Sequence, residues 1–411
     1  MTMQDLHALR SVLLAAAIAL TSPARAGDTI SAIDVQGNTR TAREVVVGAL
    51  GVRPGDPIDD ESLPVLRQRV LNLRLFHEVE IATRRSDAGL VLSVSVKERW
   101  TLIPLPIFGA SGGATQAGLA IIETNLLGRH KLLAISGIYS SRGQSGFLYY
   151  RDPSLLGTSG VLAAEVLADD KVRERAEGFD VVQAWRDRRV DASVRPGLRL
   201  APHLALRVGP FAVFRESRAE GASPAPPPAG TNFGLAADLE YQGQDYHEWF
   251  NAGPYLLANV RRSLPELGSD RGFTQSSALA TWSMPVAGQH AVSLAVAGHL
   301  VDGNPVLDAF WLGGRPGTRG LRAEGLWVER AVTTTLDYQI PVWRPSWGTV
   351  TALGFVDAGV STWAGERTSW VAPGGGFRLY LRNVALPALG LDLAWSTAGR
   401  ELAPSFFLGF R

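Results

Sequence analysis

The chain has no cysteine among its 411 residues, which excludes a disulfide framework, a thiolate metal site and a cysteine nucleophile. It is also short of charge. Asp, Glu, Lys and Arg make up 19% of it, against about 25% in an ordinary soluble chain. A net charge of +1 supplies no field for nucleic acid, so none is expected as a partner. A membrane-crossing helix is missing as well. Thr101–Ile122 is broken by Pro104, Pro106, Gly109, Gly112 and Gly113, and Gly272–Val301, which lacks Asp, Glu, Lys and Arg, is broken by Pro285 and scattered Gln, Ser and Thr. Glycine and proline cost too much in a helix interior for either stretch to span as one. Yet 46% of the residues are hydrophobic, 44 are glycine and the mean hydropathy is +0.05. Extended disorder is excluded, and the question becomes where the missing charge has gone.

Residues 1–26 read as a signal peptide. Arg10 closes a short polar start, Ser11–Leu20 is an apolar core, and Ala24-Arg25-Ala26 is an A-x-A cleavage pattern. The apolar core is about half the ~20 residues that a spanning helix needs. Removal takes away Asp5, Arg10 and Arg25, leaving a neutral mature chain outside the cytoplasm.

Residues 27–100 have the pattern of a small α+β domain. Ile30–Gln36 alternates like a strand and stops at the turn pair Gly37-Asn38. Thr41–Leu50 reads as a helix ended by Gly51 and followed by Pro54-Gly55. Asp59 or Asp60 can cap a second helix, in which Leu63, Leu66, Val70 and Leu73 form one stripe. Two strands are expected at Phe76–Thr83 and Leu90–Val96.

From residue 101 to 411 the period changes to two. Phe233, Leu235, Ala237, Leu239 and Tyr241 share a face, as do Val332, Leu336, Tyr338 and Ile340; the alternate positions are small or polar. One face therefore meets an apolar medium and the other a polar one. The region divides into sixteen strand-like segments, from 102–110 to 404–411, with 179–199 long enough to be more than one strand. That is too long for a sandwich of about 100 residues, and the number is even, as a closed single-chain barrel requires. Tight connections such as Leu126–Arg129, Asp152–Gly157 and Arg344–Ser346 alternate with long ones such as Arg218–Gly230 and Asp302–Val328. The 11 tryptophans suit interfacial girdles, with Trp343 and Trp347 flanking one turn. The fold expected is mainly β: a transmembrane antiparallel barrel of about sixteen strands, at 101–411, behind one small α+β domain.

These features together resemble the bacterial outer-membrane assembly and polypeptide-transport family of the BamA/TamA, bacterial surface antigen kind. Gly37-Asn38 and Leu75-Phe76-x-x-Val79 are similar to the marks of a single POTRA domain. Gly317-Thr318-Arg319-Gly320-Leu321 resembles the family's arginine motif in the sixth outer loop. Gly354-Phe355-Val356-Asp357-Ala358-Gly359 is similar to its thirteenth strand, and Ser405–Phe410 to its C-terminal assembly signal, carried by Phe406, Leu408 and Phe410. Thr318 and Leu321 depart from the family's usual flanks, Asp337-Tyr338-Gln339 stands where acidic-x-Arg is common, and Arg411 follows the terminal aromatic.

The resemblance implies a lid loop folded into the barrel, with Arg319 against the inner wall of the thirteenth strand. The residues allow it. Phe355 and Asp357 are two apart, so they point to the same side, one shared with Thr349 and Thr351. A guanidinium there can pair with Asp357 and cover the Phe355 ring. The resemblance further implies a bacterial outer-membrane location, a periplasmic N-terminal domain, client polypeptides captured by that domain through strand addition, and periplasmic accessory proteins. The leading expectation is assistance in inserting, assembling or translocating polypeptides; a dedicated two-partner-secretion transporter and a passive pore are the alternatives. Pro104 and Pro106 in the first strand suggest a weak seam with the last. Catalysis is not expected: Gly109-Ala110-Ser111-Gly112-Gly113 matches G-x-S-x-G, but the residues after it read as a strand, not the helix a nucleophile elbow needs. The seven histidines show no metal spacing, and no cofactor is expected.

Overall fold

The computed structural model describes residues 29–411 apart from 88, 112, 178, 221–228, 385–386 and 409–411. Ala24, Ala26 and Phe410 lie outside the described residues.

The N-terminal unit consists of β1 (Ile30–Gln36), α1 (Arg43–Leu50), α2 (Leu63–Leu71), β2 (Phe76–Ser86) and β3 (Gly89–Glu98). β3 is central, parallel to β1 and antiparallel to β2. The stripe expected on the second helix faces inward: Leu66 and Val70 are buried with Val46, Leu50, Phe76, Leu92, Val94 and Val96, and Leu63 and Leu73 pack against them. Burial of these side chains, each worth about 1.5–3 kcal/mol against exposure, holds the unit together. α1 begins two residues later than its sequence pattern suggests, because Thr41 is tied elsewhere. Its N–H donates to Glu98 at 2.7 Å, and Ala42 remains extended. Asp59 caps a 3-10 turn, Asp60–Ser62, rather than α2 itself.

The wall of the barrel is built from β4 (Leu102–Ser111), β5 (Ala114–Leu126), β6 (Lys131–Ser140), β7 (Gly143–Asp152) and β8 (Gly160–Glu177). It continues through β9 (Asp180–Ala201), β10 (Leu204–Ala219), β11 (Gly230–Gln242), β13 (Asn251–Ser263), β14 (Phe273–Val286) and β15 (His290–Asp302). β18 (Arg330–Trp343), β19 (Gly348–Trp363), β20 (Glu366–Leu381), β21 (Pro387–Trp395) and β22 (Leu402–Leu408) complete it. These sixteen strands close into one antiparallel barrel, with β22 paired to β4. β9 is a single strand throughout. Outside the wall series, β12 (Asp245–Tyr246) pairs with β13, and β16 (Phe310–Leu312) forms a hairpin with β17 (Leu326–Val328).

The period-two pattern resolves into an apolar outside and a charged inside. Leu235, Leu256, Val296, Leu336, Val356, Leu391 and Leu393 are exposed on the outer surface, while Arg207, Asp238, Glu240, Thr351, Asp357 and Asp392 are buried within. The missing charge has been cleared from the lipid face.

The connections do not alternate strictly between tight and long. At the end facing the N-terminal unit, here called proximal, the β11–β13 connection runs over 243–250, and at the distal end β19 and β20 are joined by only Ala364 and Gly365. The proximal exception has a cause: that connection packs against the N-terminal unit. The G-x-S-x-G match leads from β4 directly into β5.

Candidate functional site

The distal connection between β15 and β18, residues 303–329, turns back into the barrel instead of standing above it. Its β16–β17 hairpin is wedged by aromatic contacts: Trp327 meets Trp185 edge-on at 4.5 Å and Trp363 at 5.5 Å. Charged contacts hold it as well. Arg173 donates to Glu324 at 2.7 Å and lies 4.2 Å from the Trp311 ring centroid, and Arg271 pairs with Asp308 at 2.8 Å. Arg322 donates to Glu174 at 2.7 Å. The loop is thus fixed at several points around the lumen.

At its innermost point stands Arg319, 1% exposed. The register of β18 and β19 sets its surroundings, since Thr335 lies opposite Asp357 and Asp337 opposite Phe355 on the inward face. The Arg319 Nε and Nη2 donate to the two oxygens of Asp357 at 3.0 and 2.7 Å, and its backbone N–H donates to the same carboxylate at 2.9 Å. Nη2 also donates to Asp337 at 2.8 Å, and Asp392 stands 4.0 Å from Nη1. The guanidinium lies 3.4 Å from the centroid of the Phe355 ring. Thr335 donates its hydroxyl to Asp357 at 2.9 Å, and Arg378 pairs with Asp392 at 2.6 Å. Charges this dry are held only because every one is met by an opposite charge or a hydrogen bond.

Glycines make the room. A Cβ on Gly374 would stand 2.3 Å from the Phe355 ring, and one on Gly359 would stand 2.3 Å from the ring of Trp370, whose Nε1–H donates to the Gly317 carbonyl at 2.9 Å. Gly320 has a φ of +86° with Ala372, Ala394 and Ser396 beside it, so the chain turns away from the wall at a position suited to glycine. Thr318 and Leu321 are buried, with the Thr318 hydroxyl bonded to the Arg315 carbonyl at 3.1 Å.

The structure therefore brings Arg319, Phe355 and Asp357 together. Asp337, Asp392, Thr335 and Trp370 belong to the same cluster but were not singled out from the sequence. A signal for Asp337 was present, because it shares the polar face of its strand with Thr333 and Thr335. The run Gly374-Gly375-Gly376 inside a strand was a second signal, marking a close approach. Of the C-terminal residues, Phe406 faces outward, 39% exposed, and Leu408 lies opposite Phe108 of β4.

The barrel closes at β4 and β22. The described pairs there are Phe406 with Ala110, Phe407 with Gly109 and Leu408 with Phe108, whereas β4 pairs with β5 along its whole length. Thr124 donates to the Thr101 carbonyl at 3.0 Å. Alternation from that bond points the odd-numbered residues of β4 toward β5 and the backbone nitrogens of Pro104 and Pro106 toward β22. Those two prolines, outside the described pairs of the seam, have no N–H to donate on that side of β4.

At the proximal mouth the N-terminal unit meets three turns. Ala42 donates to the Gly128 carbonyl at 2.8 Å and Asn125 to the Thr41 hydroxyl at 2.9 Å. Asn72 accepts from the Tyr246 N–H and donates to Asp245, both at 2.9 Å. Arg74 and Arg99 lie 5.3 and 5.4 Å from the centroid of the Tyr246 ring, and Arg99 donates to the Arg382 carbonyl. Glu248, from the same turn, accepts from Thr349 on the inner wall at 3.2 Å. A Cβ on Gly128 would stand 2.3 Å from the Arg40 carbonyl, so this contact depends on glycine.

No protein-family model matches the chain. Over 178 residues, 42% of its length, it is 29% identical to the outer membrane protein assembly factor BamA of Neorickettsia risticii (strain Illinois), and the match spans 23% of that relative. Among solved structures it is similar to BamA from Haemophilus ducreyi lacking POTRA domains 1-3, at a TM-score of 0.57 and 15% identity, covering 93% of this chain and 84% of that one. CdiB from Acinetobacter baumannii gives a TM-score of 0.60 at 14% identity, covering 93% and 74% of the two chains. CdiB from Escherichia coli gives 0.57 at 12% identity, with 95% and 92% covered.

Proposed function

We propose that this chain, a BamA-like outer-membrane barrel, helps to insert or translocate polypeptides at the outer membrane. In this reading residues 27–100 are a single POTRA-like domain on the periplasmic side, and the distal lid lies toward the cell exterior. The observation that carries it is the lid fixed inside the lumen by Arg319, between Asp337 and Asp357. A barrel so filled, with a folded unit docked at its other mouth, is a poor passive pore and a good gated one.

The N-terminal unit would receive an extended client on an open edge of its sheet, where β1 and β2 each have one unpaired side. The seam between β4 and β22 would then offer a lateral exit, since Pro104 and Pro106 remove donors from the edge facing β22. The cell-level test is to delete residues 28–100 and, separately, replace Arg319 by Ala, then compare outer-membrane and secreted proteomes. Loss of many outer-membrane proteins supports the assembly role, loss of a single secreted protein assigns the barrel to a dedicated transporter, and no loss overturns both. Hydrogen exchange tests the seam: amides of 102–110 are expected to exchange faster than those of β8 and β9, and equal protection removes the lateral exit.

A further inference from the structure

The outer surface of the barrel changes chemistry between its two rims. At the proximal rim the outward side chains are aromatic: Trp282, Tyr338, Trp343 and Trp347 are all exposed. At the distal rim arginines stand beside the aromatics Tyr139 and Trp395.

The change is sharpest across β8, β9 and β10. Ala168, Val190 and Phe214 lie in one row of the outer face, Ala168 opposite Val190 and Val190 opposite Phe214. The next outward row distally is Asp170, Arg188 and Glu216, and the row after that brings Arg186 opposite Arg218. The ion pairs in this patch leave an imbalance. Asp170 takes Arg186 at 2.7 Å and Arg188 at 3.4 Å, while Glu216 reaches Arg188 only at 3.7 Å and Arg218 only at 4.0 Å. Three guanidinium groups share two carboxylates. The side chains of Arg186, Arg188 and Arg218 are 41%, 58% and 73% exposed. Farther round the same rim, Arg262, Arg330 and Arg367 also point outward and, among the described residues, make no ion pair.

Next to this patch is an open groove of about 650 Å³. Gly137, Gly146 and Ala168 form its floor, and Tyr139, 72% exposed, and Arg188 border it on the distal side. The small residues leave a depression in the lipid-facing wall directly below the positive patch. A free anion would use the charge but not the groove, whereas a lipid with a phosphorylated headgroup would use both.

We propose that the distal rim at β8–β10 binds an anionic lipid of the surrounding leaflet, its phosphate against Arg186, Arg188 and Arg218 and an acyl chain over Gly137, Gly146 and Ala168. Guanidinium and phosphate are geometrically matched for paired hydrogen bonds, and cationic side chains at headgroup depth gain from the surface potential. The carboxylates of Asp170 and Glu216 hold the arginines in place until the phosphate arrives.

The test uses the full chain reconstituted in phosphatidylcholine vesicles containing either lipid A or lipid A stripped of its phosphates. The lipid retained after detergent extraction is measured by mass spectrometry. Retention of the phosphorylated form is expected to exceed the other by about tenfold, and the triple variant Arg186→Gln, Arg188→Gln, Arg218→Gln is expected to abolish the preference. Arg218→Gln alone, the change least able to disturb folding, should reduce it by about threefold. Equal retention of both lipids by the native chain overturns the proposal. So does a preference unchanged in either variant. If inorganic phosphate displaces the lipid A preference completely, the patch is a soluble-anion site and the lipid assignment falls.

Discussion

Both mouths of the barrel hold a docked element, but by different kinds of interaction. The distal closure is electrostatic and dry: Arg319 is sealed with Asp357, both almost wholly buried, and Asp337 and Asp392 lie within reach. The proximal closure has no ion pair among the described residues: it is made of hydrogen bonds from Asn72, Gln68 and Asn125 and a ring contact on Tyr246, with Asn125, Thr41, Tyr246 and Arg99 buried and the Asn72–Asp245 bond exposed. A buried ion pair is costly to break by halves, because the surviving charge is left without a partner. Hydrogen bonds that belong to no ion pair can be exchanged for water at a lower cost. The distal lid should therefore move all at once or not at all, while the N-terminal unit can hinge.

The largest effect expected is from breaking the distal pair. Arg319→Ala strands Asp357 and Asp337 and should lower barrel stability by about 3–5 kcal/mol, seen as a lower midpoint for loss of heat-modifiable mobility in gels. Asp357→Ala should cost a similar amount, and the double variant much less than the total of the two. Additive losses would mean that the two residues act separately and would remove the basis of the contrast between the mouths.

The proximal contact predicts a smaller change of another kind. Tyr246→Ala removes the ring that Arg74 and Arg99 cover and should weaken docking by about 1–2 kcal/mol. The barrel midpoint should stay unchanged while a crosslink between the N-terminal unit and the turn at residue 128 drops. A fall in the barrel midpoint equal to that of Arg319→Ala would erase the difference between the two closures.

Much of this arrangement could be read from the chain alone, and the parts that could not have a common cause. The strands of the barrel were legible because lipid and lumen impose opposite demands on adjacent residues, so each strand has its own period-two record. Arg319 and Asp357 were legible only through resemblance to a known family, since a lone arginine in a glycine-rich loop has no pattern of its own. Asp337 and Trp370 were not read as parts of the site because their roles depend on which strands neighbour one another, and register is a property of the pairing rather than of either strand. The length of the connection at 243–250, against the expected alternation of tight and long connections, has a similar cause: it is explained by the unit it contacts, some 170 residues earlier in the sequence, as in the Asn72–Asp245 bond. The G-x-S-x-G match is the opposite case: the local pattern is present, and the strand that follows it, legible in the sequence, is not the helix that would give it meaning.

The weakest effect expected is that of pH, and it should fall most heavily on the proximal mouth. His130 sits in the turn between β5 and β6, where desolvation, reinforced by the charges of Arg151, Arg74 and Arg199, lowers its pKa to about 4, with a hydrogen bond at the Leu73 backbone opposing. His247 is lowered in the same way by burial, with Asp245 opposing. Both rings are thus held neutral in the docked state, and the undocked state binds protons more readily. Docking should be fully stable above the ordinary histidine range and weaken as pH falls from about 6.5 toward 4. Crosslinking yield between the N-terminal unit and the 127–130 turn, followed across that window, should decline smoothly and recover on return to neutral pH. Replacing His130 by Gln should flatten much of the decline and leave the heat-modifiability midpoint unaffected. A decline equally steep in that variant would assign the pH response to other groups, and a parallel fall in the barrel midpoint would show that the distal lid shares it.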